Sequence, residues 1–172
     1  LRERLEHALT VRGAKVPHVR AVVRGRAVAD IRPAEAEANV RELPAVADTP
    51  SFRQLAEAFK RVRNIARELK DTPPLELAAL RGRLHEAAEL ALVDEMERRR
   101  AAIDGALTGA TSYQAAYAEA AGFEPAVARF FKEIFVMAED SSLREARLMV
   151  MKRLEQLILQ LGDISEIVSA ES

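Results

Sequence analysis

One stretch limits what this chain can become: EPAVARFFKEIFVMAEDSSLREARLMVMKRLEQLILQLGDI, from Glu124 to Ile164. Pro125 suits the first turn of a helix, where its missing N–H costs nothing. Val127, Phe130, Phe131, Ile134 and Met137 recur at helical spacing and predict a helix with a wide buried face. Glu139-Asp140-Ser141-Ser142 then breaks the apolar run. Ser142, with Glu145 three residues on, fits a capping box in which each side chain satisfies an orphan backbone donor. In the second helix Leu143, Ala146, Val150, Leu154, Leu157 and Leu161 form a stripe, which Leu148, Met151, Ile158 and Leu159 widen. Gly162 is the expected stop. A helix this apolar is a central post, so the chain is expected to fold as an all-α helical bundle packed around it.

The remaining elements read as helices too. Leu1 to about Arg12 carries Leu5, Ala8 and Leu9 inward and ends at Gly13. Residues 17–28 form a short helical piece with Arg20, Arg24 and Arg26 exposed. Pro33 to Leu43 is closed by Pro44. Thr49 caps a helix whose first residue is Pro50. Asp71-Thr-Pro-Pro74 is a breaker. Leu75 to about Leu107 is one long helix, interrupted at Gly82 at most, with Leu84, Ala88, Leu92 and Met96 inward and Arg98-Arg99-Arg100 toward its far end. Gly105 and Gly109 end it. Thr111-Ser-Tyr-Gln114 is a second capping box, opening a helix with Tyr113 and Tyr117 that stops at Gly122. No useful period-2 alternation predicts a sheet, and no repeat of about 20–50 residues is present.

At 172 residues the chain is long enough for one domain, expected to divide into N-terminal helices over 1–44 and a bundle over 45–172. Leu1 is not an initiator Met and opens inside a helical pattern, so a fragment of a longer protein is expected. The composition, 49% apolar and 31% charged, is that of a globular domain. No apolar run is long enough to span a membrane. Cysteine is absent, which excludes disulfides and thiolate metal sites and favours the cytoplasm. The net charge of −1 hides an asymmetry: residues 1–70 hold 15 Lys and Arg against 9 Asp and Glu, and residues 71–172 hold 11 against 18. This is either a solvated surface or a basic face that meets an anion such as nucleic acid.

On SFRQLAEAFKRVRNIARELK, residues 51–70, the buried stripe is Leu55, Phe59, Val62, Ala66 and Leu69. Lys60, Arg63, Arg67 and Lys70 follow one position further on and line up on a flank beside it, with Arg61 and Asn64 adding polar surface. Four cations in a row repel one another unless something screens or binds them. The flank is either solvated, paired in part with Glu57, Glu68 or a neighbouring helix, or a face that tracks phosphates. Catalytic chemistry is not visible. His7, His18 and His85 lie on separate elements without a second ligand at metal-site spacing, and Glu-x-x-His motifs are missing. No phosphate loop, nucleophile elbow or kinase motif appears. From the residues alone this is a helical binding or scaffold module.

Two stretches carry a resemblance. AFKRVRNIA (58–66) and the run from Phe130 to Ile167 resemble the C-terminal part of the β chain of bacterial two-subunit glycyl-tRNA synthetases. That region is similar to the helical anticodon-binding domain of arginyl-tRNA synthetase, named for an Asp-Ala-Leu-Arg motif. The family has a Phe-Phe pair, a Val-Met-Val-Met-type run, an acidic turn, Arg-x-Asn-Arg-Leu and Ala-Asp-Ile-Ser. Here these read Phe130-Phe131, Ile134 to Met137, Glu139-Asp140, Arg144-Glu-Ala-Arg147-Leu148 and Gly162-Asp163-Ile164-Ser165. The likeness covers about residues 40–167. Ala146 stands where the family usually has Asn, Gly162 replaces Ala, and Asp140-Ser-Ser-Leu143-Arg144 only approximates Asp-Ala-Leu-Arg.

The resemblance implies an anticodon-binding type of bundle, with tRNA(Gly) and the synthetase alpha chain as partners and neither DNA nor a membrane among them. Catalysis, with ATP and Mg, is implied to lie elsewhere in the parent ligase, so no cofactor, metal or catalytic residue is expected in this chain. The RNA-binding candidates are Lys60, Arg61, Arg63, Asn64, Arg67, Arg144 and Arg147. Arg144 and Arg147 either touch RNA or pair with Glu139 and Asp140. Two other readings remain open: a protein–protein scaffold bundle, and the equivalent domain of an arginyl-tRNA synthetase.

Overall fold

The structure is a computed structural model that describes residues 1–70 and 75–169. The breaker at 71–74 lies outside them. Helices follow in the order α1 (Arg2–Val11), α2 (Val16–Arg24), a 3-10 turn (Val28–Asp30), α3 (Pro33–Glu42), α4 (Pro44–Ala47) and α5 (Pro50–Ala66). Then come α6 (Leu77–Arg81), α7 (Ala87–Thr108), α8 (Tyr113–Ala121), α9 (Glu124–Glu133), α10 (Ser141–Leu159) and α11 (Ser165–Ser169). No strand occurs among the described residues, so the all-α bundle is what the chain forms.

The centre is α10, whose buried face runs from Ala146 through Val150, Met151, Leu154 and Ile158. It packs most extensively on α5, which contributes Phe52, Leu55, Phe59, Val62 and Ala66, all fully buried. Helix α7 lies against α8, α9 and α10 and buries Leu92, Met96 and Ile103. The N-terminal helices join the same core: α2 packs on α11, and Val19, Ala21 and Val23 are buried with them.

Several local expectations need correction. Helix α9 stops at Glu133 because Ile134 turns to extended backbone (φ −110°, ψ 127°). The segment then alternates, with Ile134 and Val136 buried and Phe135 and Met137 exposed, so Met137 is not on a buried helical face. The cap of α10 is Asp140, whose Oδ1 accepts from the Leu143 N–H at 2.8 Å, and not Ser142. Glu145 is drawn instead to Arg83 at 2.9 Å. The α8 cap is Ser112, one residue past Thr111, accepting from the Ala115 N–H at 3.1 Å. Ala8 is exposed, and Gly105 lies inside α7, which ends at left-handed Gly109 (φ 78°). The predicted long helix is two, separated between Gly82 and Glu86. There a capping box of Glu86 and Glu89 starts α7.

Arg26 is not exposed: its Nε and Nη2 donate to the Gln160 carbonyl at 3.2 and 2.5 Å, capping the end of α10. Gly162 lies beyond that end, against α2, and the Asp163 N–H donates to the Ala21 carbonyl at 2.7 Å. Beside it, buried Tyr117 sets its hydroxyl 2.7 Å from Asn39 Oδ1 and 2.9 Å from the Leu161 carbonyl. Burial pushes this phenol well above its ordinary pKa.

Candidate nucleic-acid interface

Helix α5 carries four of the seven candidate residues and Arg67 caps its C-terminus, and its buried stripe fixes where each one lies. Position 63 falls on the edge facing α10. Arg63 Nη1 donates to Asp163 Oδ2, and its Nε lies 3.4 Å from Glu155 Oε1. Both acids have side chains only 6% exposed. Glu155 also accepts from Lys152 at 3.0 Å, and the other oxygen of Asp163 accepts from the Ser165 N–H and hydroxyl at 3.2 and 2.5 Å. Arg63 is therefore a brace between α5, α10 and the segment that follows it. The surface row predicted from spacing is broken at its middle member.

The outward face of α5 holds Arg61, Asn64 and Arg67, all exposed, with Lys60 beside them. Arg67 Nη1 donates to Asn64 Oδ1 at 3.3 Å, and Lys60 sits 3.7 Å from Glu57. The Arg61 guanidinium stands 4.3 Å from the centroid of the Phe131 ring on α9. Such a contact holds the guanidinium plane by its attraction to the ring face without consuming a carboxylate. Arg61, Asn64 and Arg67 lie three residues apart in succession, so they share one ridge of the helix.

The two α10 candidates face elsewhere. Arg147 is buried and donates to Glu89 Oε1 at 2.5 Å and to the Phe135 carbonyl at 2.7 Å. Glu89 is fully buried and its other oxygen accepts the His85 and Glu86 N–H groups, at 3.1 and 2.9 Å. Arg144 donates to the Ala138 carbonyl at 3.0 Å. Both arginines thus hold the 134–140 segment to α10; Arg147's acidic partner is Glu89, across the bundle, in place of Glu139 or Asp140. The structure brings Lys60, Arg61, Asn64 and Arg67 together and sets Arg63, Arg144 and Arg147 apart from them.

Sequence reasoning missed Glu89, Glu155 and Asp163 as the buried acids that take up these arginines. Acids of the second half take up two of the first half's cations, since Arg24 also reaches Glu166 at 3.6 Å. Within the arginine triplet, Arg98 and Arg99 both bond Glu95, at 2.6 and 2.8 Å. Burial raises the Glu95 carboxyl pKa, and these two guanidinium bonds outweigh it and hold the group below its ordinary value. Among the described residues no group of three or more His, Cys, Asp or Glu could hold a metal ion, and no helix is long and apolar enough to cross a membrane.

Comparison with known proteins adds a family context. No protein-family model matches the chain. It is 40% identical over 130 residues to the glycine–tRNA ligase beta subunit of Anaeromyxobacter dehalogenans, an alignment covering 74% of this chain and 18% of that protein. The relatives are glycine–tRNA ligase beta subunits. Those of Citrifermentans bemidjiense and Pectobacterium carotovorum are 36% and 33% identical, over 77% and 89% of this chain. They are matched over 18% and 21% of their own lengths, so the chain spans about a fifth of the curated relatives it matches.

Proposed function

We propose that this chain is a tRNA-binding, anticodon-recognition domain of a glycine–tRNA ligase beta chain. In that role it supports ATP-dependent glycylation of tRNA(Gly) catalysed elsewhere in a cytoplasmic complex with the alpha chain. The observation that carries the reading is the alignment with beta subunits over 74% to 89% of the chain. The exposed α5 ridge supports it chemically. Arg61 and Arg67 present guanidinium groups that match phosphate geometry, and Asn64 between them offers an amide to the same backbone. Neither arginine has a carboxylate partner among the described residues, so an incoming phosphate displaces no ion pair.

A filter-binding titration with a tRNA(Gly) transcript tests the reading. Saturable binding that weakens steeply with salt is expected, because neutralised phosphates release counterions. A protein-contact role is favoured for a different surface: Phe135 is 73% exposed and Met137 47%, on a segment held in place by Arg144 and Arg147. A bundle with that role alone would show no saturable tRNA binding at physiological salt.

A further inference from the structure

A cleft opens between α7 and α10, closed at one end by the start of α6, with a volume of about 400 Å3. That falls within the range of about 300–1,000 Å3 usual for small-ligand sites. Leu77, Met96 and Leu157 give it an apolar lining. Arg100 and Asp104 stand on the α7 side and Gln156 and Gln160 on the α10 side. None of these four side chains has a hydrogen-bond or ion-pair partner among the described residues. Their neighbours contrast with them: Arg98 and Arg99 are tied to Glu95, and Arg153 closes the α6 end by donating to the Leu75 carbonyl at 2.9 Å and pairing with Glu76 at 3.0 Å. Solvated polar groups of complementary types, without a protein partner of their own, therefore converge over a largely buried apolar floor, on helices fixed by the core.

From this we infer that the cleft takes one unpaired nucleobase bearing an exocyclic amino group, an inference that rests on the RNA-binding reading above. The edges of Leu77 and Leu157 that reach the surface form the floor on which the base rests. Arg100 supplies a planar cation that stacks on a base or meets its phosphate. Gln156 and Gln160, one helical turn apart, each carry an amide donor and acceptor for a base edge. Asp104 is acceptor-only when ionised, so it favours adenine, cytosine or guanine, whose amino groups donate, over uracil, whose single N3–H is flanked by two carbonyls that the carboxylate repels. The cleft thus reads a base, whereas the α5 ridge holds phosphates.

The test uses hairpin RNAs with a common stem and single-stranded loops of cytidine, adenosine or uridine, titrated against the chain and its variants. The chain is expected to bind the amino-bearing loops about tenfold more tightly than the uridine loop. Gln156→Ala with Gln160→Ala should lose about tenfold on cytidine or adenosine loops and little on uridine. Asp104→Asn should level the preference, because an amide can face either edge. Melting temperatures of the variants should match the parent, which keeps a loss of binding distinct from a loss of fold. Equal affinity for all loops, or an equal loss on every loop and on the stem alone, overturns the inference and leaves the RNA-binding reading standing. Unchanged affinities in every variant overturn it as well. Absence of RNA binding by the parent chain removes both.

Discussion

Arg63 reaches a hundred residues along the chain to Asp163, and this ion pair locks α5 to the segment that leaves α10. With Glu155 on its other edge, the guanidinium serves two acids that are almost wholly buried. A surface arginine on an RNA-tracking flank would be removable at little cost. This one is not, because its loss leaves one oxygen of each buried carboxylate without its cation.

Arg63→Ala is accordingly expected to destabilise the fold by about 2–4 kcal/mol in urea denaturation. A solvated flank, one of the two readings open from spacing, would give a change within about 0.5 kcal/mol, the value for an ordinary surface site. A measured change that small would show that the brace is absent in solution.

The approach of α2 to the end of α10 gives a second prediction. A Cβ on Gly25 would lie 2.7 Å from the Asp163 nitrogen and 2.9 Å from Gly162 Cα, both backbone atoms. Gly25→Ala must push these segments apart and is expected to cost about 1–3 kcal/mol, the range for overpacking. Its backbone (φ −68°, ψ −18°) suits alanine, so an unchanged melting temperature would mean that the contact is looser than described.

His18 supplies a pH dependence. Its side chain is buried, and Nδ1 has no hydrogen-bond partner among the described residues. Desolvation, then the charge of Lys15, lowers its pKa below the ordinary 6.5, while Asp48 opposes the shift. A histidine depressed in the folded state takes up its proton more readily when unfolded. Its contribution is therefore fully present above about pH 6.5 and is lost as pH falls through the folded value. Stability measured from about pH 7 down to about pH 5 should fall, and His18→Gln should flatten that fall. An identical decline in both proteins would assign the effect to other groups.

The helical stripes were legible because burial repeats along the chain: Leu55, Phe59, Val62 and Ala66 are at helical spacing and all fully buried. The segment after Phe131 was not, since a short apolar run suits a helical face and an extended strand-like alternation equally. Helix starts were found only to within a residue or two, because Asp140, Ser141 and Ser142 are all competent caps and packing chose the first. At the site, the cations of α5 were visible, but which of them point outward depended on acids a hundred positions away. Arg100, Asp104, Gln156 and Gln160 read as ordinary surface residues, and the only local hint was the matching four-residue spacing within each pair.

The claim that the α5 ridge faces RNA is tested most directly by the salt dependence of tRNA(Gly) binding, compared between the parent chain and Arg61→Ala with Arg67→Ala. The parent should give log K falling linearly with log salt, and the double variant should bind more weakly with a slope flatter by about two counterions. Its melting temperature should be unchanged, since neither guanidinium bonds a buried group. Identical slopes and affinities in the two proteins, or no saturable binding by the parent, would contradict the account.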